Sequence, residues 1–572
     1  MKDQFQEIRT DVLVVGSGAA ALRAILDADS AGAEVLVVIK GEFRKSGATY
    51  HSVAEVGAFN VPDNAGDVDD SPDAFLDDIL TAAQGMADPR LSRVLADEAE
   101  EALRYLADHG VHFERQDDRY LVFQACFSSR PRSHVIKDHF KPIVKALGGE
   151  ASRRGIKVLD NLMITNLIVG DGQCLGAYAI DAAGMPVVIR AKSTILTTGG
   201  ASQLFATNLY PSDITGDGYA MAHRAGAHLA NMEFMQAGIS IVSPFINLFG
   251  NYLWNAHPNL TDREAKPFVR DYLPRDLTID AVIDEKQRHF PFSSSDISKY
   301  IEISVQKAIN EGRAANEGGV FLDFLDTDFG KVLADPSQSI ARMWPMTYDW
   351  YKEKGVDLYR DKVQIACSAH AINGGILIDE NAQSSLPGLF AAGEVAAGPH
   401  GADRLGGNMA VTCQVFGGRA GRAAADRAAR TGHAEIAGLL EAERAFRDTF
   451  CGKGTTSLSA IREELQRAAN RHLLIIRTAE GLETLSGTCD ALRGELQSNA
   501  AIEGPADRRA AIEIGNLLDV CDMMILAASA RKESRGSHYR EDFPLRSEAE
   551  KTSIILDGAS REGYFRISLA ER

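Results

Sequence analysis

The feature that most constrains this chain lies near its start. Val12-Leu13-Val14-Val15 is a short apolar run without polar alternation, and Gly16-Ser17-Gly18-Ala19-Ala20-Ala21 follows at once. A run of that kind suits a strand buried on both faces of a parallel sheet. The turn has the GxGxx(G/A) form. Gly16 permits the tight turn, Gly18 lets the backbone approach a pyrophosphate, and the small Ala21 allows close helix–sheet packing. Residues 19–31 read as a helix whose free N–H groups and positive dipole end face a phosphate. Residues 34–39 read as a second buried strand. Together these form a βαβ opening of the dinucleotide-binding kind. That second strand ends at Lys40 rather than at Asp or Glu, which counts against simple NAD recognition.

Downstream, residues 70–115 read as helical. Short strands are expected at 157–159, 164–169, 176–180, 186–189 and 193–196, with hairpin turns at Gly170-Asp171-Gly172 and Ala183-Gly184. The character changes from about 236 to 350, where aromatics, prolines and polar loops crowd together as in His257-Pro258 and Leu273-Pro274, as expected of an inserted domain. Strand and glycine patterns return at 374–379 and 388–393. Residues 432–535 are helical in pattern, and strands close the chain at 553–556 and 564–569.

Composition excludes several classes of function. Of 572 residues, 61 are Lys or Arg and 79 are Asp or Glu, a formal charge of −18. Such a surface does not attract nucleic acid or an anionic membrane over its whole area. The seven cysteines are scattered and form no CxxC pair. This argues against a disulfide framework and against a cysteine-held zinc or iron–sulfur site, so no metal is expected and a cytoplasmic setting is. No apolar run reaches the roughly 18 residues of a membrane span.

Further blocks carry a resemblance. Leu196-Thr197-Thr198-Gly199-Gly200, Thr215-Gly216-Asp217-Gly218, Met232-Glu233-Phe234-Met235-Gln236, and Ala369-His370 with Gly374-Gly375-Ile376 appear in that order. They are followed by Gly388-Leu389-Phe390-Ala391-Ala392-Gly393-Glu394, by His400-Gly401-Ala402-Asp403-Arg404-Leu405-Gly406-Gly407-Asn408, and by Glu533-Ser534-Arg535-Gly536-Ser537-His538. The set resembles the flavoprotein subunits of the fumarate reductase/succinate dehydrogenase family, which includes L-aspartate oxidase and the adenylylsulfate reductase flavoprotein. The resemblance implies an α/β fold. A Rossmann-like FAD domain of the GR2 type (residues 1–235 and 352–431) would be interrupted by an α+β capping domain (236–351) and followed by a C-terminal helical domain (432–572).

It also implies FAD. The pyrophosphate would lie over Gly16, Gly18, Ala19 and Ala20, with Lys40 at the end of the second strand. Ser46, Gly47, Ala48 and Thr49 would line the flavin ring, as would Thr198, Gly199 and Gly200. Glu394 matches the family acid on the FAD ribose, beside Gly393. Asp217, Asn408, Met409 and Ala410 complete the expected contacts. His51 lies near the segment in which some relatives attach FAD covalently, but the Ser46–Thr49 run is similar to the non-covalent members, and non-covalent FAD is expected.

On the substrate side, Arg404 matches the family's carboxylate-binding arginine; a planar, always-charged fork fits a carboxylate bidentately. His370 matches a substrate-binding histidine. Two departures stand out. The dicarboxylate members have a His-Pro-Thr run where this chain has Ala237-Gly238-Ile239. The family's cap arginine, which exchanges a proton with substrate, has no counterpart in Ser294-Ser295-Asp296-Ile297-Ser298-Lys299. Lys299, Arg275 and His289 are the candidates for that role. The expected activity is hydride transfer between flavin N5 and a small anionic carboxylate other than succinate or fumarate. Two alternatives stay open: a flavoprotein that passes electrons to a separate iron–sulfur partner, and a flavin-binding protein without turnover. The Arg531–Arg540 run, with acids interleaved, reads as an interdomain ion-pair network.

Overall fold

The computed structural model describes residues 6–51, 56–116, 118–288, 290–336, 338–436, 440–450, 452–558 and 563–569. His289 lies outside them.

The apolar opening run becomes the C-terminal half of the strand Gln6–Val15, in which Val12, Leu13 and Val14 are fully buried. It is central to a seven-stranded sheet and runs parallel to Val35–Val38 on one side and to Pro186–Leu196 on the other. The strands expected separately at 186–189 and 193–196 are one strand. Its first half pairs with the hairpin strand Gln173–Ile180, and Thr194–Leu196 pairs with Leu389–Ala391. A segment nearly two hundred residues downstream thereby returns to the nucleotide-binding sheet. The helix Ala19–Ser30 packs on the long helix Asn408–Arg430. Gly417 and Gly421 bring the two backbones together, since a Cβ on Gly421 would stand 2.4 Å from the Ala24 carbonyl oxygen.

A second sheet, antiparallel and five-stranded, has the order Asn247–Leu248, Met235–Ser243, Val363–Ile372, Val320–Asp323, Asn259–Thr261. The helices Ile279–Lys286, Lys299–Asn310 and Ser339–Glu353 belong to the same stretch of chain. Val363–Ile372 was expected with the returning nucleotide-binding part. It instead pairs with Met235–Ser243, so the chain leaves the second sheet after Ile372 rather than at 352.

The helices Leu458–His472, Ala479–Ser498 and Pro505–Ala530 pack together at the C-terminal end. The chain then rejoins the body, because Ser553–Leu556 pairs with Leu229–Ala230. The arginine run forms ion pairs as expected, and the structure buries them. Arg531 Nε lies 2.7 Å from Glu233 Oε1 and Arg535 Nε lies 2.6 Å from Glu533 Oε1, all with fully buried side chains. Charges removed from water in this way persist only when paired.

Candidate functional site

One cavity of about 1110 Å³ opens over the carboxyl ends of the parallel strands. That is where ligands bind in open α/β sheets. Val15, Ile39, Thr197 and Ala392, which end or follow four strands of the sheet, all line it. The turn that starts the floor is specific to glycine. Gly16 has φ +120°, and a Cβ there would meet the Thr197 carbonyl oxygen at 2.5 Å. Gly18 then caps the helix Ala19–Ser30 without a side chain, leaving the helix end open to the cavity. The Ala19 N–H donates to Thr49 Oγ1 at 3.1 Å, which ties the Ser46–Thr49 segment to that end.

Gly16, Gly18, Ala19, Ala20, Lys40, Ser46, Gly47, Ala48, Thr49, Thr198, Gly199, Asp217, Gly393, Glu394, Met409 and Ala410 all line the cavity. Gly200 and Asn408, expected with them, are set back. The space beside Gly200 is filled by the Glu394 carboxylate, and Asn408 Oδ1 accepts from Asn60 Nδ2 at 2.6 Å. Lys40 is neutralised by two carboxylates, with Nζ 2.8 Å from Asp217 Oδ2 and 2.9 Å from Glu513 Oε1. Glu513 comes from the C-terminal helix Pro505–Ala530, so this triad joins that helix to the cavity wall.

Glu394 is half-buried, and desolvation pushes its carboxyl up to about 7 against the opposing pull of the Ile372 N–H it accepts from and of Arg404. Thr198 Oγ1, Asp213 Oδ1, His139 Nδ1 and Arg404 Nε are buried polar atoms without a hydrogen-bond partner among the described residues. Buried groups of this kind are costly unless a ligand satisfies them. A long cleft with a helix end, a ribose-sized acid and several orphaned polar atoms fits FAD.

At the other end His370, Arg404 and Tyr210 converge. His370 lies on Val363–Ile372, and the Tyr210 hydroxyl stands 3.2 Å from its Nδ1 with the rings stacked at 5.5 Å. Burial, with Arg404 and His139 nearby, pushes His370 down to about 3, so its ring is neutral at ordinary pH. Burial raises the Tyr210 phenol. Arg404 is 6% exposed. Its Nη1 donates to the Leu405 carbonyl at 3.0 Å, and among the described residues no carboxylate lies within ion-pair distance. His139, also lining the cavity, is pushed down to about 4 by burial and Lys141. Cys126 Sγ accepts from the Phe290 N–H at 3.0 Å, and burial raises its thiol.

The structure does not bring Lys299 or Arg275 to this cavity. Lys299 Nζ donates to the Ser294 carbonyl at 3.0 Å at the start of its own helix. The Arg275 carbonyl accepts from Arg270 in an exposed loop. His51 is exposed and does not line the cavity. Tyr210, His139 and Cys126 were missed from the sequence. Tyr210 sits in an irregular stretch that reaches the second sheet through the bridge between Asn208 and Ala369. His139 follows Asp138 with both residues in the left-handed region, φ 56° and 61°. Neither position has a local motif.

Among the described residues no group of three or more His, Cys, Asp and Glu side chains is placed to hold a metal ion, and no helix is long and apolar enough to cross a membrane.

Comparison with known proteins agrees with this geometry. Residues 11–409 match the FAD binding domain family, and residues 462–565 match the fumarate reductase flavoprotein C-terminal family. A fumarate reductase (CoM/CoB) chain of Methanothermobacter marburgensis, named as one subunit of that enzyme, is 32% identical over 96% of this chain and 97% of its own length. L-aspartate oxidase of Caulobacter vibrioides is 30% identical over 96% of each chain. The solved structure of Mycobacterium smegmatis Sdh1 in complex with UQ1 is 27% identical, with a TM-score of 0.82 over 98% of this chain and 94% of that one. The nucleotide cleft, the ordered blocks and these matches together place the chain in the fumarate reductase/succinate dehydrogenase flavoprotein family, as an FAD-dependent oxidoreductase.

Proposed function

We propose that this protein transfers a hydride between flavin N5 and a small carboxylate-bearing substrate other than succinate or fumarate. The observation that carries the reading is Arg404: a buried guanidinium without a carboxylate partner among the described residues, facing the same cavity as His370 and Tyr210. A buried unpaired cation is costly, and an anionic ligand offsets that cost.

FAD, when bound, supplies two-electron hydride exchange at N5. The chain's own residues do the rest. Gly16, Gly18, Ala19 and Ala20 receive the pyrophosphate, Glu394 the ribose, and Ser46–Thr49 with Thr198, Gly199, Met409 and Ala410 the rest of the cofactor. FAD is held non-covalently, a reading supported by the exposed position of His51. Arg404 grips the substrate carboxylate and stabilises negative charge that develops on the adjacent carbon, the setting in which a preorganised cation contributes most to rate. Tyr210 exchanges a proton with that carbon, and His370 Nδ1 holds the phenol in place. These two take the role that the sequence left to Lys299, Arg275 or His289.

The relatives named for fumarate and for L-aspartate match 96% of this chain. The departure lies at Ala237-Gly238-Ile239 and Ser294–Lys299, where the dicarboxylate members carry a histidine and an arginine. The test is an anaerobic screen for carboxylates that bleach the bound flavin or reoxidise its reduced form. Rapid bleaching by succinate overturns the reading.

A second reading keeps the same site and passes the electrons to a separate protein chain. The Methanothermobacter relative favours it, because its name makes it one component of a larger reductase. Co-purification from the native host of a partner chain carrying iron and sulfide distinguishes the two.

A further inference from the structure

We infer that the substrate carries its carboxylate at one end and an apolar body at the other, so that this protein takes a monocarboxylate with a hydrophobic chain or ring. The inference rests on the carboxylate reading of Arg404 and adds the shape of what Arg404 holds.

The strand position at which the family resemblance implies a histidine is closed here. Phe290-Pro291-Phe292 lies along Ala237-Gly238-Ile239. The Phe292 N–H donates to the Ala237 carbonyl at 2.7 Å, and Gly238 forms a bridge with Pro291. A Cβ on Gly238 would come 2.9 Å from the Phe290 carbonyl oxygen and 3.0 Å from its ring. No side chain fits there, polar or otherwise. The Phe290 ring stands edge-on to His370, centroids 5.7 Å apart and planes at 87°.

The wall beside Phe290 is apolar as well, while Gln124, His139 and Asn251 also line the cavity. Cys126, Leu209 and Phe290 are buried together, with Tyr210 and Leu248 packed against them. From above, the helix Ser339–Glu353 presents Ser339, Arg342, Met343 and Met346, one helical face by spacing, to the same cavity. Met346 is 43% exposed at the rim. Unbranched thioethers adapt to substrates of differing outline.

The charge count points the same way. Among the described cations lining the cavity, Lys40 is paired with Asp217 and Glu513, and Arg342 is exposed. Arg404 alone of these is both buried and without a carboxylate partner. A second carboxylate on the substrate meets no second buried and unpaired cation among the described residues lining the cavity, and one set against Phe290 and Leu248 would be desolvated without compensation.

The test is a titration of the FAD-loaded protein with succinate and with 3-phenylpropionate, read by the flavin difference spectrum. Each buried methylene is worth roughly fourfold in affinity, so 3-phenylpropionate is expected to bind at least tenfold more tightly than succinate. Met343→Glu is expected to remove that preference, and Met346→Glu, at the exposed rim, to reduce it in a variant that has little reason to misfold. Equal or tighter binding of succinate, or a preference unchanged in both variants, overturns the inference. Arg404→Met separates it from the reading beneath it. Loss of both probes in that variant supports the carboxylate clamp, and a 3-phenylpropionate affinity that survives it overturns the clamp while leaving the apolar chamber standing. Wild-type protein that responds to neither probe overturns both.

Discussion

The Tyr210 hydroxyl lies 3.2 Å from Nδ1 of His370, with the two rings stacked and only 10° from parallel. The residues are 160 positions apart and come from a loop and a strand, yet both line the cavity beside Arg404. A neutral imidazole that fixes a phenol next to a buried cation is an arrangement for proton exchange, in a chain whose cap stretch 294–299 offers no side chain to the cavity. Replacing Tyr210 by Phe removes the proton and keeps the ring. Turnover with the substrate found by the flavin screen is expected to fall by about 10²-fold or more, the usual contribution of a positioned acid or base. Flavin content should stay at the wild-type ratio. Unchanged turnover in Tyr210→Phe contradicts the assignment.

Arg404→Met separates function from stability. Removing a buried cation that lacks a carboxylate partner relieves a desolvation penalty, so the cofactor-free variant is expected to unfold at a temperature equal to or above that of the cofactor-free wild type. Binding of any carboxylate should weaken by at least about 10²-fold, the size of a lost charge-assisted bidentate contact. Thermal unfolding and the flavin titration check the two halves independently.

Lys40 predicts the opposite sign. Its ammonium holds Asp217 and Glu513 together, so Lys40→Met leaves the buried Asp217 carboxylate and the half-buried Glu513 carboxylate without their shared cation. A loss of about 3–5 kcal/mol is expected from breaking a buried pair in this way. Lys40→Met with Asp217→Asn should recover part of it, as a double-mutant cycle in chemical denaturation would show. The coupling matters beyond stability, because Glu513 belongs to the C-terminal helices and Asp217 to the cavity wall.

Acid sensitivity follows from the buried His139 imidazole and the half-buried His370 imidazole. His139 is held at about 4 and His370 at about 3, both below the ordinary value of 6.5. The native state therefore binds fewer protons than the unfolded state between the native and unfolded values, and stability falls as pH drops below about 6.5. From pH 6.5 to 5, each imidazole accounts for up to about 2 kcal/mol. His139→Gln should flatten the unfolding-midpoint-versus-pH curve across that interval and leave it unchanged above pH 7. A curve of unaltered slope contradicts the burial of a neutral His139.

Much of the fold was legible because it is locally encoded. The unalternated Val12–Val15 run, the Gly16–Ala21 turn and the helical pattern after 432 each announce themselves within a few residues, and each stands where it was expected. The crossing back from the second sheet was misplaced because Val363–Ile372 looks like any buried strand; only its pairing with Met235–Ser243 reveals its sheet, and pairing is not a local property. The same holds at the site. Arg404, His370 and Glu394 were legible through ordered blocks, whereas Tyr210 and His139 lie in irregular loops whose position depends on contacts far along the chain. Lys299 was suggested by chemistry alone, and its own helix start holds its ammonium. The ion pairs of Arg531 and Arg535 were foreseeable from interleaved charge, although the partnership with Glu233 was not.

The central claim is that Arg404 presents a carboxylate to the flavin in a chamber that does not suit succinate. Anaerobic mixing of the FAD-loaded protein with a panel of carboxylates tests it most directly, with flavin absorbance followed in wild type and Arg404→Met. At least one monocarboxylate with an apolar body is expected to bleach the oxidised flavin, or its unsaturated form to reoxidise the reduced flavin, in wild type and not in Arg404→Met, while succinate does neither at a comparable rate. Rapid bleaching by succinate, or an Arg404→Met protein that responds as the wild type does, would contradict it.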